Sequence, residues 1–178
     1  MKKFVICLFI ILYSLFVPKI IFADYVLPYP SYMPGSALYR VSRMTDRLKF
    51  YWSWGNIAQV KYHLALSDKY LVEASTLMEY KQFLLGADAL GRSDKEFMQL
   101  PAFLTGVKME RVDVSRLQRI TTQAADKHVE VLTGLLSVVP DQFTWTPEKS
   151  SATELPLGAM IRTSMDVRRK IAGQTGSL

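Results

Sequence analysis

Residues 57–89 read IAQVKYHLALSDKYLVEASTLMEYKQFLLGADA, and this stretch decides the fold class. Its apolar residues return every three or four positions, a spacing that places them on one face of an α-helix. The first stripe keeps a heptad register, interrupted at Ser67 and Lys81. It comprises Ile57, Val60, Leu64, Leu71, Ala74, Met78 and Leu85. A second apolar stripe lies beside it, so the sequence predicts one long helix with neighbours on more than one side.

Further helices are predicted on both sides of this segment. They cover about residues 37–54, 107–138 and 157–171, with a short extension over 92–100. The two longest would each have about 30 residues and reach roughly 45 Å. Strand patterns are weak throughout the chain. The predicted fold class is therefore all-α: an elongated helical hairpin or bundle of about four helices, two of them long.

The N-terminus has the pattern of a targeting segment. Met1-Lys2-Lys3 is cationic, and the uncharged run FVICLFIILYSLFV follows over residues 4–17. Ala23 is a small residue suited to the last position before a cleavage site. We expect residues 1–23 to be a signal peptide that directs export across the cytoplasmic membrane, to an extracellular or envelope-associated location. The alternative is an uncleaved anchor helix formed by residues 4–22.

Composition and charge exclude several classes of protein. The chain has 178 residues, 49% of them hydrophobic, which suits a single domain with a packed core. Its one cysteine, Cys7, lies in the targeting segment, which excludes a disulfide framework and a cysteine-based metal cluster. Removing the three lysines of residues 1–23 leaves 19 basic and 16 acidic residues, so the net charge falls from +6 to +3. That balance does not favour a nucleic-acid partner.

The predicted organisation continues with an arm, a helical domain and a tail. Residues 24–35 carry prolines interleaved with tyrosines, which favours an extended arm over a helix. This arm either docks a partner or packs across the helices that it precedes, and the packing role is the expected one. Residues 36–172 form the helical domain, and residues 173–178 form a flexible tail.

The predicted helix 37–54 is amphipathic and basic. One face carries Leu38, Val41, Met44, Leu48 and Tyr51, and the arginines lie largely off that stripe. An aromatic cluster follows at its end. Such a helix fits a membrane surface. It also fits a helix that buries the stripe in the core and leaves the basic face to solvent, which is the outcome that we expect.

Most of the chain after the targeting segment resembles a bacterial protein family. Residues 29–74, YPSYMPGSALYRVSRMTDRLKFYWSWGNIAQVKYHLALSDKYLVEA, look like the domain of unknown function 5667, found in exported or membrane-anchored proteins. The matching features are the helix start over residues 34–39, the pattern from His63-Leu64 to Glu73-Ala74, and residues 127–132 followed by Val139-Pro140. These features are helix starts and packing positions. The resemblance implies an exported helical domain and no particular activity.

No familiar catalytic motif occurs in the sequence. It lacks G-x-S-x-G, G-x-x-x-x-G-K-[ST] and G-x-G-x-x-G. An envelope metal-binding protein or hydrolase would have to use His63 and His128, joined by Asp68 or Glu130. The simpler interpretation makes both histidines boundary residues with single hydrogen bonds. We therefore assign no catalytic residue, no cofactor and no metal ligand.

The preferred function is a non-enzymatic binding or structural module at the cell envelope. Its partner would be an unknown protein or an anionic envelope component, with membrane association through residues 4–22 and a homodimer as further options. Exposed aromatic and basic residues are enriched at contact sites. The predicted interaction surface comprises Tyr25, Tyr29, Tyr32, Arg40, Arg43, Arg47, Trp52 and Trp54.

Overall fold

A computed structural model describes residues 25–147 and 151–176. The predicted signal peptide lies outside the described residues. The described part of the chain is mostly helical, so the all-α prediction is confirmed. Residues 25–33 form neither helix nor strand, and a turn at Pro34-Gly35 leads into the first helix.

Six helices and one small hairpin make up the described part of the chain. The helices are α1 (Ala37–Trp52), α2 (Asn56–Glu79), α3 (Phe83–Phe97), α4 (Leu100–Met109), α5 (Ser115–Val138) and α6 (Leu157–Gly176). The strands are β1 (Phe143–Trp145) and β2 (Thr153–Leu155). They pair antiparallel, with Thr144 opposite Glu154. Because α6 continues to Gly176, the prediction of a flexible tail is wrong for residues 173–176.

The prediction of one helix over residues 57–89 is also wrong, because the chain turns back at residues 80–82. Lys81 has a φ of 60°, and the amide of Gln82 donates to the carbonyl of Leu77 at 2.8 Å. Such a left-handed residue ends a helix. Helix α3 then returns antiparallel along α2, so close that a Cβ on Gly86 would lie 2.7 Å from Cγ of Met78.

A second turn divides the predicted helix 107–138. Arg111 has a φ of 57°, and the amide of Ser115 donates to Asp113 Oδ1 at 2.9 Å at the start of α5. The hydrogen bonds from Ser115 lower the pKa of the Asp113 carboxyl. The two longest helices, α2 and α5, therefore have 24 residues each. The fold is a bundle of shorter helices rather than one elongated hairpin.

Two hydrophobic clusters form the core of the described part. The first joins the second half of α2 to α3, the second half of α5 and the start of α6. The second joins the first half of α2 to α4, the start of α5 and the end of α6. No residue of α1 belongs to either cluster. Helix α1 is thus attached to the bundle by contacts outside these two hydrophobic clusters.

Candidate functional site

Helix α1 contacts the bundle through its polar side. Asp46 is the only buried residue of this helix. Its carboxylate pairs with the ammonium group of Lys69 on α2, which also donates to Ser42 Oγ at 2.8 Å. The hydroxyl of Tyr62 donates to the backbone carbonyl of Asp46 at 3.0 Å. These contacts lie along one side of α1, at the steps of three and four residues expected for a helix face.

The start of α1 is held by a second polar cluster. The Tyr39 hydroxyl donates to Glu73 Oε1 at 2.8 Å, and Arg92 donates to the same oxygen at 2.9 Å. Arg43 lies over the rings of Tyr39 and Tyr70, with its guanidinium carbon 6.0 and 5.3 Å from their centroids. Burial, followed by the hydrogen bond to Glu73, raises the pKa of Tyr39. The cluster orients α1 without burying an apolar side chain of that helix.

The apolar stripe of α1 faces solvent. Its residues are between 47% and 72% exposed: Leu38, Val41, Met44, Leu48 and Tyr51. The expectation that this stripe enters the core is therefore wrong. The physical reason is that the side of α2 facing α1 presents Tyr62, Lys69 and Glu73, which match the polar side of α1.

The exposed charges of α1 are all positive. Arg40, Arg47 and Lys49 are exposed, whereas Asp46, the only acid of the helix, is buried against Lys69. On a helical wheel the two arginines flank one edge of the apolar stripe and Lys49 flanks the other. An apolar strip bordered by cations is the pattern of a helix that lies in the interface of an anionic membrane.

The N-terminal arm begins at a partly buried hydrogen bond, packs Leu27 and Met33 against the first hydrophobic cluster and exposes two tyrosines. The Tyr25 hydroxyl donates to Asp68 Oδ2 at 2.6 Å. Burial and the neighbouring Asp68 carboxylate raise the pKa of Tyr25. Tyr29 and Tyr32 are 94% and 52% exposed. They line an open groove of about 700 Å³ between the arm, α1 and α2, whose floor includes Ala65.

Below the arm, a buried polar network joins α2, α5 and α6. His128 Nε2 lies 2.7 Å from Asp68 Oδ1, and the Nε–H of Arg168 donates to His128 Nδ1 at 3.0 Å. Because the guanidinium can only donate, Nδ1 accepts and the proton of the neutral imidazole sits on Nε2. Burial, and then the charge of Arg168, lower the pKa of His128 even though its bond to Asp68 opposes the shift.

The network continues from Arg168 into α3. The guanidinium pairs with Asp94 and donates to Ser93 Oγ at 2.8 Å, and Ser93 Oγ donates to the backbone carbonyl of Ser67 at 2.8 Å. Arg168 and Ser67 are fully buried. Since donors and acceptors match along the chain of contacts, this arrangement serves to fix four helices relative to one another.

The two histidines find different partners. His63 Nδ1 lies 2.7 Å from Glu96 Oε2, and the His63 ring stacks on Phe103 with centroids 5.0 Å apart. His128 is fully buried, so its interpretation as a boundary residue is wrong. Glu130 points away to an ion pair with Lys127. Within residues 25–147 and 151–176, no group of three or more His, Cys, Asp or Glu side chains could hold a metal ion.

The structure divides the predicted interaction surface into two groups. Six of its residues are exposed: Tyr29, Tyr32, Arg40, Arg47, Trp52 and Trp54. Tyr25 and Arg43 instead make contacts inside the molecule, so they are not free to bind a partner. The buried roles of Asp68 and Arg168 were not predicted, although Arg168 has the spacing of the apolar face of α6, together with Ile161 and Ile171.

Comparisons with known proteins identify no family and no relative. No protein-family model, no curated protein and no solved structure matches the chain. Among the helices that the structure describes, none is both long and apolar enough to cross a membrane.

Proposed function

We propose that this protein is a non-enzymatic, exported module that binds the anionic surface of a membrane through α1. One observation carries the proposal: α1 packs on the bundle by its polar side and leaves its apolar stripe in solvent. A helix that only completed a fold would bury that stripe. The export step rests on the pattern of residues 1–23 and on the resemblance described above.

Charge favours a membrane surface over a second copy of the chain. Two α1 helices placed face to face would bring Arg40, Arg47 and Lys49 of both copies together without an exposed acid to pair with them. An anionic lipid surface attracts these side chains, at about 1 kcal/mol for each. Their long aliphatic stems also allow the charged ends to reach the headgroups while the stripe enters the interface.

Reversing two of these charges tests the proposal. The protein is purified after export, and N-terminal sequencing establishes where the mature chain begins. We expect Arg40→Glu/Arg47→Glu to weaken cosedimentation with vesicles containing an anionic lipid by about 30-fold or more. Arg43 is left unchanged because its guanidinium contacts the rings of Tyr39 and Tyr70.

The matched control is Arg116→Glu/Arg119→Glu, which makes the same charge change at exposed positions of α5. If net charge alone governs binding, both double variants lose affinity equally, and the role of α1 is refuted. Met44→Gln/Leu48→Gln tests the apolar stripe while keeping charge and helix propensity. Undiminished vesicle binding by that variant would also contradict the proposal. A mature chain that still begins at Met1 would refute cleavage of the N-terminal segment.

A further inference from the structure

Several strongly exposed apolar side chains lie at one end of the molecule, where α1 turns into α2. Trp52 and Trp54 are 82% and 84% exposed, and Met109 at the end of α4 is 79% exposed. Ile57 on the first turn of α2 is 36% exposed. This end therefore presents an apolar surface that continues from the stripe of α1.

Two contacts bring the end of α4 against the start of α2. Asn56 Nδ2 donates to Glu110 Oε1 at 2.6 Å. A Cβ added to Gly106 would lie 2.6 Å from the Asn56 side chain, so the two segments approach closely. Asn56 follows Trp54 by two residues and Glu110 directly follows Met109, so both apolar side chains emerge beside the same hydrogen-bonded pair.

Several polar groups of the turn are paired within it. The indole N–H of Trp54 donates to the backbone carbonyl of Tyr51. Gln59 donates to the carbonyl of Ser53 at 2.6 Å, and the Ser53 hydroxyl donates to the carbonyl of Lys49 at 2.9 Å. Because moving an unpaired polar group out of water is costly, these internal bonds lower the cost of placing the turn among lipid chains.

We infer that the turn between α1 and α2 is a membrane anchor, in which Trp54 enters the lipid interface with Ile57 and Met109 beside it. The inference rests on the proposed function, since α1 supplies the first contact with the anionic surface. It adds a tilt: the C-terminal end of α1 enters the interface most deeply, so the β1–β2 hairpin, near the opposite end of α2, lies farther from the lipid. The exposed Lys49 and Lys61 near the turn suit the same anionic headgroups.

The three tryptophans of the chain permit a direct test. Single-tryptophan variants of the exported protein are made by replacing the other two with Phe, and quenching by brominated lipids in anionic vesicles is measured for each. Trp145 is the internal control, because Phe143 in the same strand contacts Phe83, which follows the far end of α2. Helix α2 is about 36 Å long, so Trp145 lies far from the turn between α1 and α2. We expect strong quenching of Trp52 and Trp54 and much weaker quenching of Trp145.

The outcomes separate this inference from the proposed function. Quenching of Trp52 but not of Trp54 would refute the anchor and leave binding by α1 intact. Cosedimentation without quenching of either residue would mean that the protein binds by charge alone, which also refutes the anchor. Absence of both cosedimentation and quenching would refute the proposed function as well.

Affinity provides a second measurement. We expect Trp54→Ala to weaken binding to the same vesicles about tenfold, because a large apolar side chain no longer leaves water. Trp145→Ala is the matched control and should bind as the parent protein does. Circular dichroism of both variants reports whether the helices are retained. Equal affinity of a folded Trp54→Ala variant and the parent protein would refute the anchor.

Discussion

Arg168 shows how strongly a single side chain is tied to its surroundings in this protein. It is fully buried, and its three nitrogens contact His128, Asp94 and Ser93. The next residue, Arg169, points outward to an exposed ion pair with Asp166. Spacing favours burial of Arg168, since it lies seven residues after Ile161 and three after Met165 on the apolar face of α6. The sequence does not show which groups it meets there, because those partners come from other helices.

Arg168→Leu should lower the free energy of unfolding by about 3–5 kcal/mol, because it leaves the Asp94 carboxylate and His128 Nδ1 without their partner. Urea denaturation followed by circular dichroism measures the change. The control Arg169→Leu removes an exposed ion pair and should change stability by less than about 1 kcal/mol. Equal effects of the two substitutions would contradict the structural role of the network.

At the scale of secondary structure, the periodic pattern identified the helices but not their breaks or the orientation of α1. Buried positions such as Val60, Leu64 and Leu71 confirm the heptad register of α2. The turn at Lys81 carries no glycine or proline, so local sequence gave no stop signal. The apolar stripe of α1 was correctly located, yet its burial depended on polar partners on α2 that lie far away in the sequence.

The turn between α2 and α3 provides a prediction about backbone strain. Lys81 adopts a left-handed φ of 60°, which a side chain with a Cβ disfavours. Lys81→Gly should therefore raise the free energy of unfolding by about 1 kcal/mol. Lys81→Ala is the control, since it removes the exposed side chain but keeps the strain, and it should give no gain. A gain of the same size from both variants would show that the lysine charge, not the backbone, is unfavourable.

For the molecule as a whole, the sequence predicted an all-α domain with a buried heptad core, and the structure confirms both. It did not predict the polar network that spans α2, α3, α5 and α6, because Asp68, Asp94 and His128 come from three separate segments. His128 shares the heptad register of Ala124 and Leu135, which indicates its burial, but no local pattern shows which distant residues it meets. The candidate site was predictable in part: the exposed arginines of α1 and the tryptophans at its end were identified, but the outward orientation of its apolar stripe was not.

This network gives global stability a pH dependence. His128 is surrounded by Asp68 from α2, Arg168 from α6 and Asp94 from α3, and burial lowers its pKa. In the unfolded chain the imidazole takes up a proton near pH 6.5. Below that pH the unfolded state therefore binds the proton first, so stability is fully present above about pH 6.5 and falls as the pH decreases toward the folded pKa.

Urea denaturation between pH 7.5 and 5 measures this dependence. We expect a slope of up to about 1.4 kcal/mol per pH unit in the acidic part of the range. His128→Gln should reduce the slope, whatever its effect on stability at pH 7.5. A parent protein and a His128→Gln variant with equal slopes would contradict the assignment to this imidazole.

The attachment of α1 by hydrogen bonds and ion pairs has an evolutionary consequence. Because this helix contributes no side chain to either hydrophobic cluster, its outward surface is not constrained by the interior of the bundle. Mutations there can accumulate without selection against unfolding. Under the proposed function, a few substitutions at outward positions of one helix would change the target, while the remaining helices are inherited unaltered.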